Sequence, residues 1–557
     1  MGIPRFFYYC FQNFQSSVHL ISNSQNIDIP KSEFIHFDLN AIIHPVCQSI
    51  FAYGSSSTDS LLHKKKPVRV TQERIKEAYN KVCQTIEMYV NIVKPSKGIY
   101  IAIDGVAGMS KCTQQRQRRF RNTNDKDPNA FDSNCISTGT IFMDKLSKHI
   151  DAFIKQKLNS GYWKDLEIIF SNEKIVGEGE HKILDHIRLN TELTSTVVSP
   201  DADLFMLLLG NVDYKTNRKL YVMRENIYTN VECKYFIVDI LELSKLIIDK
   251  ISCNQDEQII KDFIFYCFFL GNDFLPNVPC IDLSNKGLDL LFTAYSNILR
   301  EGLLINYKTN EINKKSFINM LRIIEGEEEK MLSIKFKTNK SSTDPYLAKC
   351  LLDQDGDMID MDLYRKLYYK HKLDKTENET VEQLCEDYLV GMEFVLKYYL
   401  DSIPSYSWSY KHHYAPFSGD LAKYVEQKYK PAEFKKDKPM SALLQLMCIL
   451  PPSSKSLLPS CVQSYYDVAN EKDNPIYKYV NSKVEVDYDF KTHEWEGVLK
   501  LPFIDKNKFV EVFNKEYGKL TDIEKARNSK GKLFVYYTEK NEKTCELDCV
   551  IELIDME

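Results

Sequence analysis

Along residues 1–295, short apolar runs alternate with longer segments whose apolar positions recur every three or four residues. Four runs read as strands: "FIHF" at 34–37, "GIYIAI" at 98–103, "LEIIF" at 166–170 and "TVV" at 196–198. Helical spacing predicts helices over 72–93, 141–158, 181–189, 202–209 and 261–270. In the first of these, Ile75, Ala78, Val82, Ile86 and Val90 share one face. Such alternation is the signature of an α/β fold. Residues 321–346 are charged and lack a clear period, so 301–346 reads as a connecting segment between residues 1–300 and 347–557. From 347 to about 418 the pattern turns helical and ends in the aromatic stretch "YSWSYKHHYAPF". Beyond it, short helices mix with β-like pieces such as "KVEVDYDF", and no internal repeat is visible.

The chain has 557 residues, more than one core usually organises, which predicts two or three packed regions. Its 43% hydrophobic and 27% charged content is ordinary for a soluble globular protein. No run of 18 uncharged apolar residues offers a membrane span. The opening "MGIPRFFYYCFQNFQ" lacks the apolar core and cleavage site of a signal peptide. Fifteen cysteines without a CxxC pair or a nearby histidine set exclude an evident zinc motif and fit a reducing compartment.

Net charge is −5, so the chain as a whole is not a basic nucleic-acid binder, and the distribution of charge matters more than its total. "KCTQQRQRRFR" at 111–121 is the densest basic stretch, and it contains no acid. Lys111, Gln115, Arg118 and Arg119 within it fall at i, i+4, i+7 and i+8, on one helical face. A second basic run, "HKKK" at 63–66, reads as a solvated loop.

The acids give the strands a chemical meaning. "FIHF" runs into Asp38, "GIYIAI" into Asp104, and "TVVSP" into Asp201 and Asp203. "LEIIF" leads through "SNEKIV" to Glu178 and Glu180, and Asp273 follows in "FFLGNDFLP". Any one of these could be a turn residue or a helix-end charge. Their recurrence after every candidate strand weakens that reading, because ligands of open α/β sheets bind beyond the carboxyl ends of the strands. Clustered carboxylates repel unless cations neutralise them, and hard oxygen ligands suit Mg²⁺ or Mn²⁺. Two such ions roughly 3.5–4 Å apart serve phosphodiester hydrolysis, and no P-loop competes for the phosphate role. The residues alone therefore point to metal-dependent phosphoryl transfer, with the basic face beside the acids able to hold a terminal phosphate through arginine forks.

At this level of detail the chain resembles a known family. "MGIPRFF", "FDLNAIIH", "AIDGVAGMSKCTQQRQRRFR", "FDSNCISTGTIFM", "VGEGEHKILDHIR", "SPDADLFMLLL" and "FFLGNDFLPNVP" resemble, in order, motifs of the XRN 5′→3′ exoribonucleases. "YLVGMEFVLKYYLDSIPSYSWSYKHHYAPF", "LLQLMCILPPSSKSLLP" and "HEWEGVLKLPFID" resemble its second conserved region, so the similarity runs from Met1 to about residue 510. The resemblance implies a PIN-like 5′-nuclease core, with a central, mostly parallel twisted sheet flanked by helices. A mainly helical second region would pack against that core. It further implies stepwise degradation of single-stranded RNA bearing a 5′-monophosphate, by two Mg²⁺ or Mn²⁺ ions held by Asp38, Asp104, Glu178, Glu180, Asp201, Asp203 and Asp273. Lys111, Gln115, Arg118 and Arg119 match the family's 5′-phosphate pocket. His44 matches its base-stacking histidine, and Trp408 is the candidate for the tryptophan that closes the pocket, although Tyr406 replaces a neighbouring family tryptophan.

The same resemblance predicts a monomeric, cytoplasmic enzyme of RNA decay with no membrane partner. Only nine residues, "NTNDKDPNA", follow Arg121 before "FDSNC", where family members carry a longer extension. "GMS" and "LPNVP" also depart from the family's usual sequences without removing an expected ligand. The large C-terminal modules of cytoplasmic members are not expected in this chain, a compact form that would suit a large DNA virus or a protist. Two rivals are a structure-selective 5′ nuclease on flap DNA and an RNA-binding scaffold without catalysis. The phosphate-pocket residues count against the first and the full set of acids against the second.

Overall fold

The structure is a computed structural model. It describes all residues except 1–5, 23–28, 54–67, 122–129, 217, 228–230, 253–255, 307, 340–342, 374–377, 468, 470, 482, 492–495, 541–546 and 555–557. The opening "MGIPR", the "HKKK" run and most of the short stretch after Arg121 lie outside the described residues.

Each of the four expected strands forms within a residue or two of its predicted limits. The strands are β1 (Val18–Ile21), β2 (Phe34–Asp38), β3 (Gly98–Ala102), β4 (Glu167–Ser171), β5 (Ser195–Val198), β6 (Leu220–Glu225) and β7 (Tyr235–Asp239). Two small sheets, β8 (Ile305–Asn306) with β9 (Glu311–Ile312) and β10 (Val486–Asp487) with β11 (Val498–Leu499), sit apart. A C-terminal hairpin, β12 (Leu533–Lys540) and β13 (Leu547–Ile554), returns to the main sheet. The nine-stranded order is β1-β7-β6-β5-β2-β3-β4-β12-β13. The inner five strands are parallel, with Phe34 opposite both Gly98 and Ser195, whereas the strands on both flanks are antiparallel. Chain order reverses beside β2, whose neighbours are β3 on one side and β5 on the other. That is the switch point at which the loops splay and open a crevice.

Strand alternation feeds two cores. Ile35, Phe37, Ile99, Ile101, Ile168 and Phe170 enter one apolar cluster, with the helices Gln72–Val93 and Ile141–Asn159. Phe34, Tyr100, Ile169, Val197 and Val222 face the other, with Gly179–Leu189, Asp203–Leu209 and Ile259–Cys267. A sheet covered on both faces needs apolar residues at successive strand positions, which accounts for the continuous runs in the sequence. Among the described residues, no helix is long and apolar enough to cross a membrane.

The segment expected to be a connector is instead the helix Lys314–Thr338. Phe317, Met320, Leu321, Ile324, Met331 and Leu332 are buried along it at three- and four-residue spacing. The run "EGEEEK" at 325–330 hides that stripe, yet Glu328 is itself buried and accepts the Ser418 N–H at 2.8 Å. The second cluster also draws on Tyr388, Met392, Val395 and Phe417, so the core crosses the 300/347 division. "KVEVDYDF" yields only the two-residue strand β10.

The basic stretch forms the helix Met109–Arg121, and it has two faces. Met109 and Cys112 pack with Leu443, Leu446 and Met447 of the Ala442–Ile449 helix. Arg116 is buried, and its guanidinium donates to the carbonyls of Pro502 (2.9 Å) and Tyr479. Arg121 donates to the Gly497 carbonyl at 2.6 Å. Part of this positive charge therefore ties the two regions together. Arg116→Ala is expected to lower the unfolding free energy by about 3 kcal/mol, because it orphans two buried carbonyls and removes charge-assisted bonds. Urea denaturation measures this, and a loss below about 0.5 kcal/mol would refute the anchoring role.

Candidate metal and phosphate site

The seven acids come from five places in the chain. Asp38 is the last residue of β2, and Asp104 lies two residues beyond β3. Glu178 precedes the Gly179–Leu189 helix, and Glu180 lies in its first turn. Asp201 and Asp203 follow β5, with Asp203 opening the next helix. Asp273 stands in a turn in which Asn272 Oδ1 accepts the N–H groups of Phe274 and Leu275, each at 2.9 Å. Gly271 makes this turn possible, with φ +82° and its α-carbon so close to Asn277 that a Cβ would lie 2.9 Å from the Asn277 nitrogen.

All seven converge on the crevice. A Cβ at Gly179 would sit 3.0 Å from Asp38 Oδ1 and 3.4 Å from Asp104 Oδ1, so the helix N-terminus needs glycine there. The Gly179 N–H donates to Asp104 Oδ1 at 2.7 Å, and Asn40 Nδ2 donates to Asp104 Oδ2 at 2.6 Å. Ser199 Oγ links the β5 end to Asp38 Oδ2 at 3.2 Å, and it accepts the Asp201 N–H at 3.2 Å. Burial pushes Asp38 up to about 8, with Asp104 and Asp201 adding repulsion. It pushes Asp203 up to about 7, helped by Asp273. Glu180 rises well above the carboxylate range through burial, and Asp201, Asp203 and Glu178 all act on it. Glu178 is also raised by burial, against the pull of Lys111.

Lys111, expected in the phosphate pocket, points to the acids. Its Nζ lies 2.7 Å from Glu178 Oε2, 2.9 Å from Asp273 Oδ2 and 3.6 Å from Glu180 Oε1. Burial alone would raise Asp273, but the ammonium more than offsets it and holds that carboxyl below its usual range. A buried ammonium is costly on its own, and the opposite charges of these carboxylates offset that cost. The other three pocket residues stay together with His44. Arg119 donates to Gln115 Oε1 (3.1 Å) and to Ser137 Oγ (2.7 Å), while Arg118 is exposed. Burial, then Arg118 and Arg119, push His44 down to about 4, so the imidazole is neutral at pH 7. Trp408 stacks on Phe394 with centroids 4.1 Å apart. The Tyr406 carbonyl accepts the Met109 N–H at 2.9 Å, and burial, Asp185, Asp437 and Glu178 raise its phenol.

The donor set suits hard divalent cations. All seven groups are carboxylates, and Glu180 Oε2 is buried without a hydrogen-bond partner among the described residues. Among those residues no three acids are gathered as a ready-made cage, and the Lys111 ammonium stands among three of them. Sequence reading missed Asn40, Ser137, Ser199 and the phenols of Tyr398 and Tyr399, which donate to Glu178 Oε1 (2.6 Å) and Asp203 Oδ1. Asn40 could have been found, since it follows Asp38 by two residues. The tyrosines could not, because they lie about two hundred residues from their partners.

Comparison with protein families matches residues 1–226 to the XRN 5'-3' exonuclease N-terminus, and residues 254–346 and 308–554 to the Xrn1 helical domain. The 5'-3' exoribonuclease 1 of Saccharomyces cerevisiae is 28% identical across 96% of this chain and 44% of that protein. Its Homo sapiens namesake is 27% identical across 95% of this chain and 35% of that protein. For Schizosaccharomyces pombe the figures are 26%, 95% and 50%. The chain thus spans at most half the length of these relatives. A solved catalytic core of Rad2 with a DNA substrate overlaps 65% of this chain and 85% of that one at 14% identity, but its TM-score of 0.32 is too low to argue from.

A carboxyl whose pKa is raised by folding holds its proton more tightly folded than unfolded, so the native state binds more protons between the two values. For Asp38 and Asp203 that window runs from an unfolded value of about 4 to about 8 and about 7. Stability of the metal-free chain is therefore expected to fall as pH rises through it. Thermal unfolding in EDTA from pH 5 to 8 measures the slope, which Asp203→Asn should flatten.

Proposed function

The chain belongs to the XRN 5′→3′ exonuclease family, and from that premise we propose that it is a 5′→3′ exoribonuclease. Its substrate is single-stranded RNA with a 5′-monophosphate, which it hydrolyses stepwise to nucleoside 5′-monophosphates in RNA (mRNA) decay. One observation carries the reading: seven converging acids open beside a helix face that presents Gln115, Arg118 and Arg119.

Asp38, Asp104, Glu178, Glu180, Asp201, Asp203 and Asp273 would hold two Mg²⁺ or Mn²⁺ ions. Such ions, when bound, lower the pKa of a water and offset charge on a leaving oxygen. The protein's own part is to place the RNA. Arg118, the exposed member of the basic face, meets the terminal phosphate, while Arg119 stays fixed by Gln115 and Ser137. Neutral His44 offers a stacking face for the first base, with Tyr406 and Trp408 as the aromatic rings opposite, and stacking of this kind tolerates any sequence. A pocket closed by the second region leaves room for a monophosphate and rejects a cap or triphosphate by size and charge. Lys111, on the same helix as the phosphate face, offsets the charge of Glu178, Glu180 and Asp273. Free thiols at every described cysteine support a reducing, cytoplasmic setting, in which the chain acts as a monomer.

Asp203→Asn, and likewise Asp201→Asn, is expected to abolish hydrolysis while RNA binding persists, and wild-type turnover in either would overturn the metal assignment. Arg118→Ala should cut the preference for monophosphate over hydroxyl ends by about ten-fold. A time course on end-labelled RNAs carrying monophosphate, triphosphate, cap or hydroxyl, with flap DNA alongside and with or without EDTA, tests the whole reading. Cleavage of flap DNA in preference to monophosphate RNA would replace it with the structure-selective alternative. Tight binding of intact RNA in Mg²⁺ would point instead to a scaffold.

A further inference from the structure

Two adjacent side chains on one helix reach two different acids of the site. Tyr398 and Tyr399 lie near the end of the Asn378–Leu400 helix and are 4% and 2% exposed. Consecutive helical residues project about 100° apart, so a single turn can address partners on separate elements. The Tyr398 hydroxyl donates to Glu178 Oε1 at 2.6 Å, and that of Tyr399 donates to Asp203 Oδ1. Glu178 belongs to the loop after β4 and Asp203 to the helix after β5, on the two sides of the switch point.

Neither ring is free to turn away. Tyr398 packs against His181 (centroids 4.0 Å apart) and Phe274 (4.8 Å), the residues that follow Glu180 and Asp273 in sequence. Tyr399 packs against Phe268 at 5.6 Å. The helix end is pinned by Arg188, from the helix that carries Glu180, which donates to the carbonyls of Tyr399 (3.4 Å) and Asp401. A tyrosine phenol keeps its proton at neutral pH, so each is a donor to its carboxylate. A carboxylate that accepts one such bond has its plane and rotamer set. In Glu178 the other oxygen is the one facing Lys111.

We propose that Tyr398 and Tyr399 are positioning residues through which the second region orients Glu178 and Asp203 for divalent-ion binding. The inference rests on the reading of the acids as a metal site. Groups that hold metal-ligating carboxylates by hydrogen bonds change metal affinity about 10–100-fold when removed. The two tyrosines would thus couple docking of the helical region to the quality of the metal site, independently of any contact with RNA.

The test is Mn²⁺ binding to the full chain, followed by the electron paramagnetic resonance signal of free Mn²⁺, for wild type, Tyr398→Phe, Tyr399→Phe and the double variant. Phenylalanine keeps the ring and its packing and removes only the donor. Each single variant is expected to weaken Mn²⁺ binding about ten-fold, and the double variant more. Tyr466→Phe is the control, since it loses a buried phenol bond to the Met447 carbonyl but touches no acid. It should lower the melting temperature by a similar amount and leave Mn²⁺ affinity at the wild-type value. Wild-type affinity in both tyrosine variants would overturn the positioning role while leaving the metal reading intact. No Mn²⁺ binding by the wild type itself would overturn both. A second readout needs no variant: Mg²⁺ addition should perturb the near-ultraviolet tyrosine difference spectrum of the wild type, and an unchanged spectrum counts against the role.

Discussion

Like charges held out of water at the carboxyl end of the sheet are the constraint that organises this molecule. A carboxylate buried without a counter-charge costs several kcal/mol or gives up its ionised form. Here Asp38, Glu180 and Asp203 are all raised by burial and by neighbouring acids, Asp38 to about 8 and Asp203 to about 7. The surrounding structure answers this repulsion with donors aimed at specific oxygens. The Gly179 amide and Asn40 serve Asp104, Ser199 serves Asp38, and the Lys111 ammonium lies among Glu178, Glu180 and Asp273. Among the described residues, what remains is a cluster of hard oxygen donors in which Glu180 Oε2 is buried without a hydrogen-bond partner, chemistry that suits a divalent cation.

The helical second region completes this arrangement, and so it is part of the site's chemistry as well as of its packing. Gln445 accepts the Ala107 N–H at 2.8 Å, just beyond Asp104. The Tyr406 carbonyl takes the Met109 N–H at the start of the basic helix. Arg116 and Arg121 then fasten the far side of that helix to Pro502, Tyr479 and Gly497. Each of these contacts satisfies a buried polar group that would otherwise cost stability. The two regions therefore share an apolar core, a polar seam and the crevice of acids, and residues up to Tyr536 of β12 are buried against the sheet.

The basic helix shows how one run of charge can be divided between structure and function. Arg116 and Arg121 are spent on carbonyl oxygens, Lys111 on carboxylates, and Arg119 on Gln115 and Ser137. Arg118 is left exposed beside His44, whose low pKa keeps the imidazole a neutral, flat surface. On the proposed reading, a phosphate entering this face would meet the exposed Arg118 first and then Arg119, held by Gln115 and Ser137. Such a gradient favours capture of an anion followed by fixed orientation.

Much of the fold and the clustering of the acids were legible in the order of residues. Runs such as "GIYIAI" and "TVV" mark strands because β-structure and burial on both faces are local properties, and an acid just beyond a parallel strand lands at the sheet's carboxyl edge whatever else the chain does. For the same reason the Lys111–Arg119 face follows from helical spacing alone. Other features had no local signature. The stripe of the Lys314–Thr338 helix is broken by a charged run whose Glu328 is buried only because Ser418 meets it. β12 joins β4 across hundreds of residues of sequence. The direction of Lys111 and the reach of Tyr398 and Tyr399 to Glu178 and Asp203 depend on how distant elements dock. Periodicity decides which residues face the same way along one element. Only closure of the whole fold decides which other element they meet, because that outcome is set by the summed packing and desolvation of the chain and not by any short stretch of it.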